Sequence, residues 1–348
     1  MRKVKRLEAG DTIAFITLSS GMAGESIFQY RWKVAKERLE ALGFHVVLTK
    51  HATHSSEYID HHPEKRAEDL MNALKNPDIQ AIVCMIGGDD TIRLLPYVDF
   101  ETIKQYPKLF IGYSDSTVNH FMFHYAGIPS IYGPTALVEF AENVAMHSYT
   151  QEYFFKLVSQ DNTPFQIQPS SQWTSEFLDW TDERNQTVQR TMTEETHFHE
   201  FLQGTGIVRG KLLGGCLETF PMMIGTKIWP KVEHWQDKVL FIETSEIKLS
   251  PSMFAVLLRG LAAQGIFHQV QGILMGKPVN ETFYQEYKDI LQKIIRDECQ
   301  LSDLPIVYNM NFGHTAPIIS LPIGCEIEIN CLEQAIQIVE SPVEGEVL

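Results

Sequence analysis

Residues 108–123 read KLFIGYSDSTVNHFMF: an apolar run that breaks at Gly112-Tyr113-Ser114-Asp115-Ser116-Thr117 and resumes as the start of a helix. A strand with no alternating polar positions is buried on both faces, the habit of a parallel sheet covered by helices. The same signals recur upstream. TIAFITL (12–18), HVVLTK (45–50) and QAIVCMIGG (80–88) read as strands, and FQYRWKVAKERLEALG (28–43) and the segment from Pro63 through Leu74 read as helices. The repetition predicts an α/β chain whose N-terminal domain is a Rossmann-like parallel sheet with right-handed crossovers. Ligands of open α/β sheets bind beyond the carboxyl ends of the strands. Ser19-Ser20-Gly21, Gly87-Gly88-Asp89-Asp90 and Gly112-Tyr113-Ser114-Asp115 are therefore expected to face one crevice.

From Pro164 to Arg190 the pattern changes to PFQIQPSSQWTSEFLDWTDERNQTVQR, a polar stretch carrying Trp173, Phe177 and Trp180. So long a segment without periodicity is functional or a linker. Beyond it, GIVRG, KVLFIET, VQGILMG and PIVYNM read as strands, 251–263 and 282–296 as helices, and CEIEINCLEQAIQIVE as a β-hairpin. The expected organisation is an N-terminal domain over 1–165, an aromatic loop or linker over 166–190, and a C-terminal mixed α/β domain with barrel-like or hairpin strands over 191–348. At 348 residues, two cores are the better expectation than one.

The net charge of -15, with no basic stripe, argues against a nucleic-acid polymer as partner. No apolar run approaches a membrane span, and the N-terminus reads as a first strand without a cleavage pattern, so a cytoplasmic protein with no membrane partner is expected. The five cysteines lack CxxC spacing and read as reduced, mostly buried thiols. No metal or cofactor is expected: the loop histidines lack a zinc frame, and Asp89-Asp90 lacks further ligands at recognisable spacing.

An apolar strand, a glycine and then Ser114 before a helix meet the mechanical needs of a nucleophile elbow, although Ser116 stands where the familiar motif has a second glycine. Helix capping is the competing reading of the same residues, with Ser116 the expected cap. Gly87-Gly88 could lend an oxyanion-hole N–H or simply make a tight turn. A serine nucleophile needs a base and an orienter. His314, after PIVYNM and beside Gly313, is the candidate base; Glu243, closing an apolar strand, is the candidate orienter, with Glu246 and Glu218 as alternatives.

Taken together, GYSDST, IGGDD, LFIETSE and NFGHTAPIISLPIG, in this order and spacing, resemble the LD-carboxypeptidase family of serine peptidases, and more closely its microcin C immunity (MccF-like) branch. The resemblance covers nearly the whole chain. It implies Ser114 as nucleophile, Glu243 and His314 as its triad partners, and the N–H groups of Gly88 and Asp115 as the oxyanion hole, with Gly87 beside them. It also implies that Trp173, Phe177 and Trp180 sandwich the base of an aminoacyl- or peptidyl-nucleotide substrate, and that the protein is a homodimer. The alternatives are a murein tetrapeptide L,D-carboxypeptidase and, from a different class, a non-catalytic small-molecule binding module. One departure stands out: Cys216 occupies a place where many relatives have Asn, so Cys216 and Glu218 are expected to bear on substrate specificity.

Overall fold

The computed structural model describes residues 1–159 and 163–344; residues 345–348 of the expected C-terminal domain lie outside the described residues. Two large sheets organise the chain. The first contains the parallel strands Thr12–Ile16, His45–Leu48, Ile79–Cys84, Leu109–Gly112 and Ser130–Tyr132, closed at one edge by the antiparallel strand Leu321–Ile323. Four of these six strands among the described residues fall within the apolar runs read from sequence or overlap them. The edge strand comes from the far end of the chain and contains Pro322, which an edge tolerates because one side of its backbone needs no ladder donor.

Among the described residues the second sheet has eight strands, and its centre is the parallel run Ile207–Cys216, Lys238–Glu243, Gly272–Gly276 and Ile306–Met310. On one side lies the expected C-terminal hairpin, Glu326–Asn330 with Ala335–Ile338, followed by Phe165–Gln166 at the edge. On the other side lies Glu200–Gln203, antiparallel to Ile306–Met310. The sheet is mixed and its strand order is open, so the strands form a hairpin-edged sheet and not a barrel.

The helix Thr117–Tyr125 joins the two halves. Residues Thr117 through Phe123 are all buried, the signature of a helix covered on every side. Phe123 stacks on Phe110 of the first sheet at 4.7 Å, while Phe121 stacks on Trp229 at 5.5 Å and meets Phe220 edge-on at 5.9 Å. The N-terminus of this central helix is where the opening motif lies.

Candidate active site

Ser114 stands one residue beyond the strand Leu109–Gly112, after Tyr113, and has φ of 63°, a left-handed conformation that costs a residue with a Cβ about 1–2 kcal/mol. Backbone held there against its preference is a mark of functional turns. Ser114 Oγ lies 3.0 Å from Nε2 of His314, and His314 Nδ1 lies 2.8 Å from Oε2 of Glu243. A carboxylate can only accept, so in the neutral imidazole Nδ1 carries the proton and Nε2 is left to accept from the serine hydroxyl. Glu243 closes the strand Lys238–Glu243 and is fully buried, and its other oxygen accepts the Tyr132 hydroxyl at 2.6 Å. Gly313, with φ of 99°, lets the His314 loop approach: a Cβ there would come within 2.7 Å of Glu243 Oε2.

Burial opposes charge on the His314 imidazole, but Glu243 in contact and Glu246 and Glu218 nearby outweigh it and push its pKa up to about 9. Glu246 stands on the loop after Glu243, largely in solvent, with Oε2 3.3 Å from the same Nε2 that faces Ser114.

The expected crevice exists. Ser20, Gly87, Gly88, Tyr113, Ser114 and His314 line one cavity of about 520 Å3. A Cβ on Gly87 would stand 2.9 Å from Ser114 Oγ and 3.4 Å from the Asp115 nitrogen, so its absence keeps open the space beside the serine. The Asp115 side chain does something that its place in the motif did not reveal. Its Oδ2 accepts from Ser19 Oγ (2.6 Å), Thr91 Oγ1 (2.6 Å), and the N–H groups of Asp90 (3.0 Å) and Thr91 (2.9 Å). One buried carboxylate therefore ties the Gly87-Gly88 loop to the Ser114 turn and to the first strand. Fully buried Arg66 completes the brace, donating to both oxygens of Asp90 at 2.7 and 3.0 Å and to the carbonyls of Leu18 and Ser19.

Ser116 does not cap the helix as expected, because it makes no side-chain capping bond. Thr117 is used instead: its hydroxyl donates to the Ser114 carbonyl at 2.6 Å and accepts the Cys216 N–H at 3.0 Å, joining the elbow to the second sheet.

The aromatic segment divides. Phe177 and Trp180 line the cavity, 5.6 Å apart, with Phe177 exposed and the Arg31 guanidinium 3.9 Å over the Trp180 ring. Trp173 does not reach the cavity: it is buried in the short pairing of Gln172–Trp173 with Thr193–Glu194, and the buried Lys277 ammonium lies 4.2 Å over its ring. Cys216 and Glu218 also lie outside the cavity lining. Cys216 Sγ donates to Glu218 Oε2 at 3.4 Å, and Glu218 Oε1 accepts the N–H and hydroxyl of Ser245, at 2.7 and 2.8 Å. They support the loop that follows Glu243. A second cavity, of about 590 Å3, lies between the end of the Thr117–Tyr125 helix and residues 227–238 and contains none of these groups.

Family models of the LD-carboxypeptidase N-terminal and C-terminal domains match residues 13–133 and 209–329. The chain belongs to the LD-carboxypeptidase family. Its members are peptidases and hence hydrolases. The putative carboxypeptidase YocD of Bacillus subtilis is 33% identical over 93% of this chain and 95% of its own length. An MccF-like protein from Streptococcus pneumoniae, solved with AMP, superposes with a TM-score of 0.86 at 35% identity, covering 94% of this chain and 98% of that one. The microcin C7 self-immunity protein MccF, solved with aspartyl sulfamoyl adenosine, superposes with a TM-score of 0.85 at 25% identity, covering 99% of this chain and all of that one. The LD-carboxypeptidase match over residues 13–133 spans Ser114 and both glycines, and the match over 209–329 spans Glu243 and His314.

Proposed function

We propose that this LD-carboxypeptidase homologue is an MccF-like serine hydrolase that cleaves the amide between an amino acid or peptide and a nucleotide-like group. The observation that carries the reading is the chain of contacts Ser114–His314–Glu243, at 3.0 and 2.8 Å, beside a cavity that also presents Phe177 and Trp180. Ser114 Oγ attacks the amide carbonyl as its proton passes to His314 Nε2. The tetrahedral oxyanion rests on the N–H groups of Gly88 and Asp115, and collapse breaks the C–N bond as His314 returns the proton to the leaving nitrogen. Water, deprotonated by His314, then releases the acyl group from Ser114. Glu243 holds the imidazole in the tautomer that this sequence needs.

Phe177 and Trp180 offer flat faces for a nucleobase, an interaction that tolerates any base. The complexes of the two solved relatives with AMP and with aspartyl sulfamoyl adenosine support the same substrate class. The carboxypeptidase names in the family favour a second reading, release of D-alanine from a murein tetrapeptide. The aromatic faces of Phe177 and Trp180 on the cavity wall, which a murein tetrapeptide has no base to stack on, support the nucleotide reading over the murein one.

The test is incubation with an aminoacyl sulfamoyl-adenosine and, separately, with a murein tetrapeptide, following amino-acid or D-alanine release by mass spectrometry. Turnover of the first is expected. Turnover of the tetrapeptide alone would reverse the two readings, and turnover of neither would favour a binding module.

A further inference from the structure

Tyr132 ends the last parallel strand of the first sheet. It pairs with Gly112, two residues before Ser114, and on its other side with Leu321, seven residues after His314. Its ring is buried and wedged between Phe241 at 5.1 Å, His120 at 5.6 Å and Tyr113 at 6.2 Å. The hydroxyl has two partners whose roles are forced. Glu243 Oε1, 2.6 Å away, can only accept, so Tyr132 donates to it; the Ser114 N–H, 3.1 Å away, can only donate, so the tyrosine oxygen accepts. One oxygen thus touches the carboxylate that faces His314 and the backbone of the residue that presents Oγ.

We propose that Tyr132 is a positioning residue of the hydrolase: its single hydroxyl turns Glu243 toward His314 and clamps Ser114 in its left-handed conformation. The inference rests on Ser114, His314 and Glu243 acting as proposed above. With both Glu243 oxygens occupied, one by Tyr132 and one by His314, the carboxylate has a fixed plane. With the Ser114 N–H engaged, the oxyanion falls to Gly88 and Asp115. Burial, and then the charge of Glu243, hold the Tyr132 phenol well above its ordinary pKa, so it remains a donor throughout the working pH range.

The test is Tyr132→Phe in the full chain, which removes one oxygen and keeps the ring. His314 is faced by Glu243, Glu246, Glu218 and the ring of Tyr113. Loss of a donor to Glu243 leaves its charge less stabilised, so the Glu243–His314 pair holds its proton more tightly. The expected result is a kcat lower by about 10- to 100-fold with KM within about twofold, the worth of a hydrogen bond to a charged group. The acid limb of the pH profile should move to higher pH, and NMR of labelled His314 should show its titration moving the same way. A limb and titration that stay in place, or a kcat within about twofold of wild type, would overturn the proposal. If the wild type cleaves none of the substrates, the proposed function fails, while the His314 titration in Tyr132→Phe still decides the role of Tyr132.

Discussion

The strand ends around Ser114 are held by buried, short-range bonds: Asp115 to Ser19, Asp90 and Thr91, and Thr117 to Ser114 and Cys216. The aromatic segment on the other wall of the cavity has little regular structure and is held by side chains reaching across from the N-terminal half. Arg31 donates to Gln186 and lies on Trp180, Tyr30 donates to the Trp180 carbonyl, Asn143 donates to the carbonyls of Asn185 and Val188, and Glu142 accepts Arg190. Groups that make and break bonds need placement to fractions of an ångström, which buried bonds on regular elements supply. Groups that recognise a substrate can sit on surface segments, where sequence changes are tolerated. In the function proposed above, one wall would fix the reaction and the other would select what reacts.

The sharpest way to break this division is Ser114→Ala, which should lower kcat by about 10^4-fold or more on every substrate while leaving nucleotide binding intact, measured by turnover and by calorimetry with AMP. Retained activity would remove the reacting wall altogether. Gly87→Ala comes next. Its new Cβ would stand 2.8 Å from Ser114 Cβ and 2.9 Å from Ser114 Oγ and displace the serine, so a loss in kcat of about 10^2-fold is expected together with a loss of about 1–3 kcal/mol in stability, read from turnover and from thermal melts. Trp180→Ala tests the other wall: KM for an aminoacyl sulfamoyl-adenosine should rise by about 5- to 150-fold, with kcat on a substrate lacking a nucleobase unaffected. Equal losses on both would merge the two walls into one.

The smallest effect concerns pH. His314 acts as a base only when neutral, so kcat/KM should climb as pH rises through about 9. Glu246→Gln removes one carboxylate that raises this value, so the acid limb should shift down by a fraction of a pH unit. Stability runs the other way. A group whose folded pKa is raised contributes fully below its ordinary value of 6.5, and that contribution is lost as pH rises through about 9, so thermal melts should show the protein weakening over the range in which it becomes active.

The sequence carried the reacting wall better than the recognising one. Ser114 and His314 stand in the loops that follow apolar strands and Glu243 closes one, places where a polar residue is conspicuous, and the strands themselves are long enough to read. Ser130–Tyr132 and Leu321–Ile323 were not legible, because three residues carry no periodicity and the second contains a proline. Without those strands Tyr132 had no visible neighbours. The Asp115 carboxylate was likewise hidden, since its partners come from two other strand ends. Trp173 looked like Trp180 in sequence, but the buried Lys277 ammonium, ion-paired with Glu195 and with Glu281 four residues on, lies over its ring, and contacts of Lys277 with Trp173 and Glu195 from distant parts of the chain leave no local pattern.

The strand Leu321–Ile323 belongs to the first sheet although the family's C-terminal domain model spans it. His314 therefore stands on a bridge, with Ile306–Met310 anchored in one sheet and Leu321–Ile323 in the other. The two halves are not interchangeable parts. A chimera that exchanged the N-terminal half alone would inherit a foreign edge strand beside Ser130–Tyr132, and the spacing of His314 from Ser114 would register the mismatch. Recombination within this architecture has to carry residues 321–323 together with the sheet that they complete.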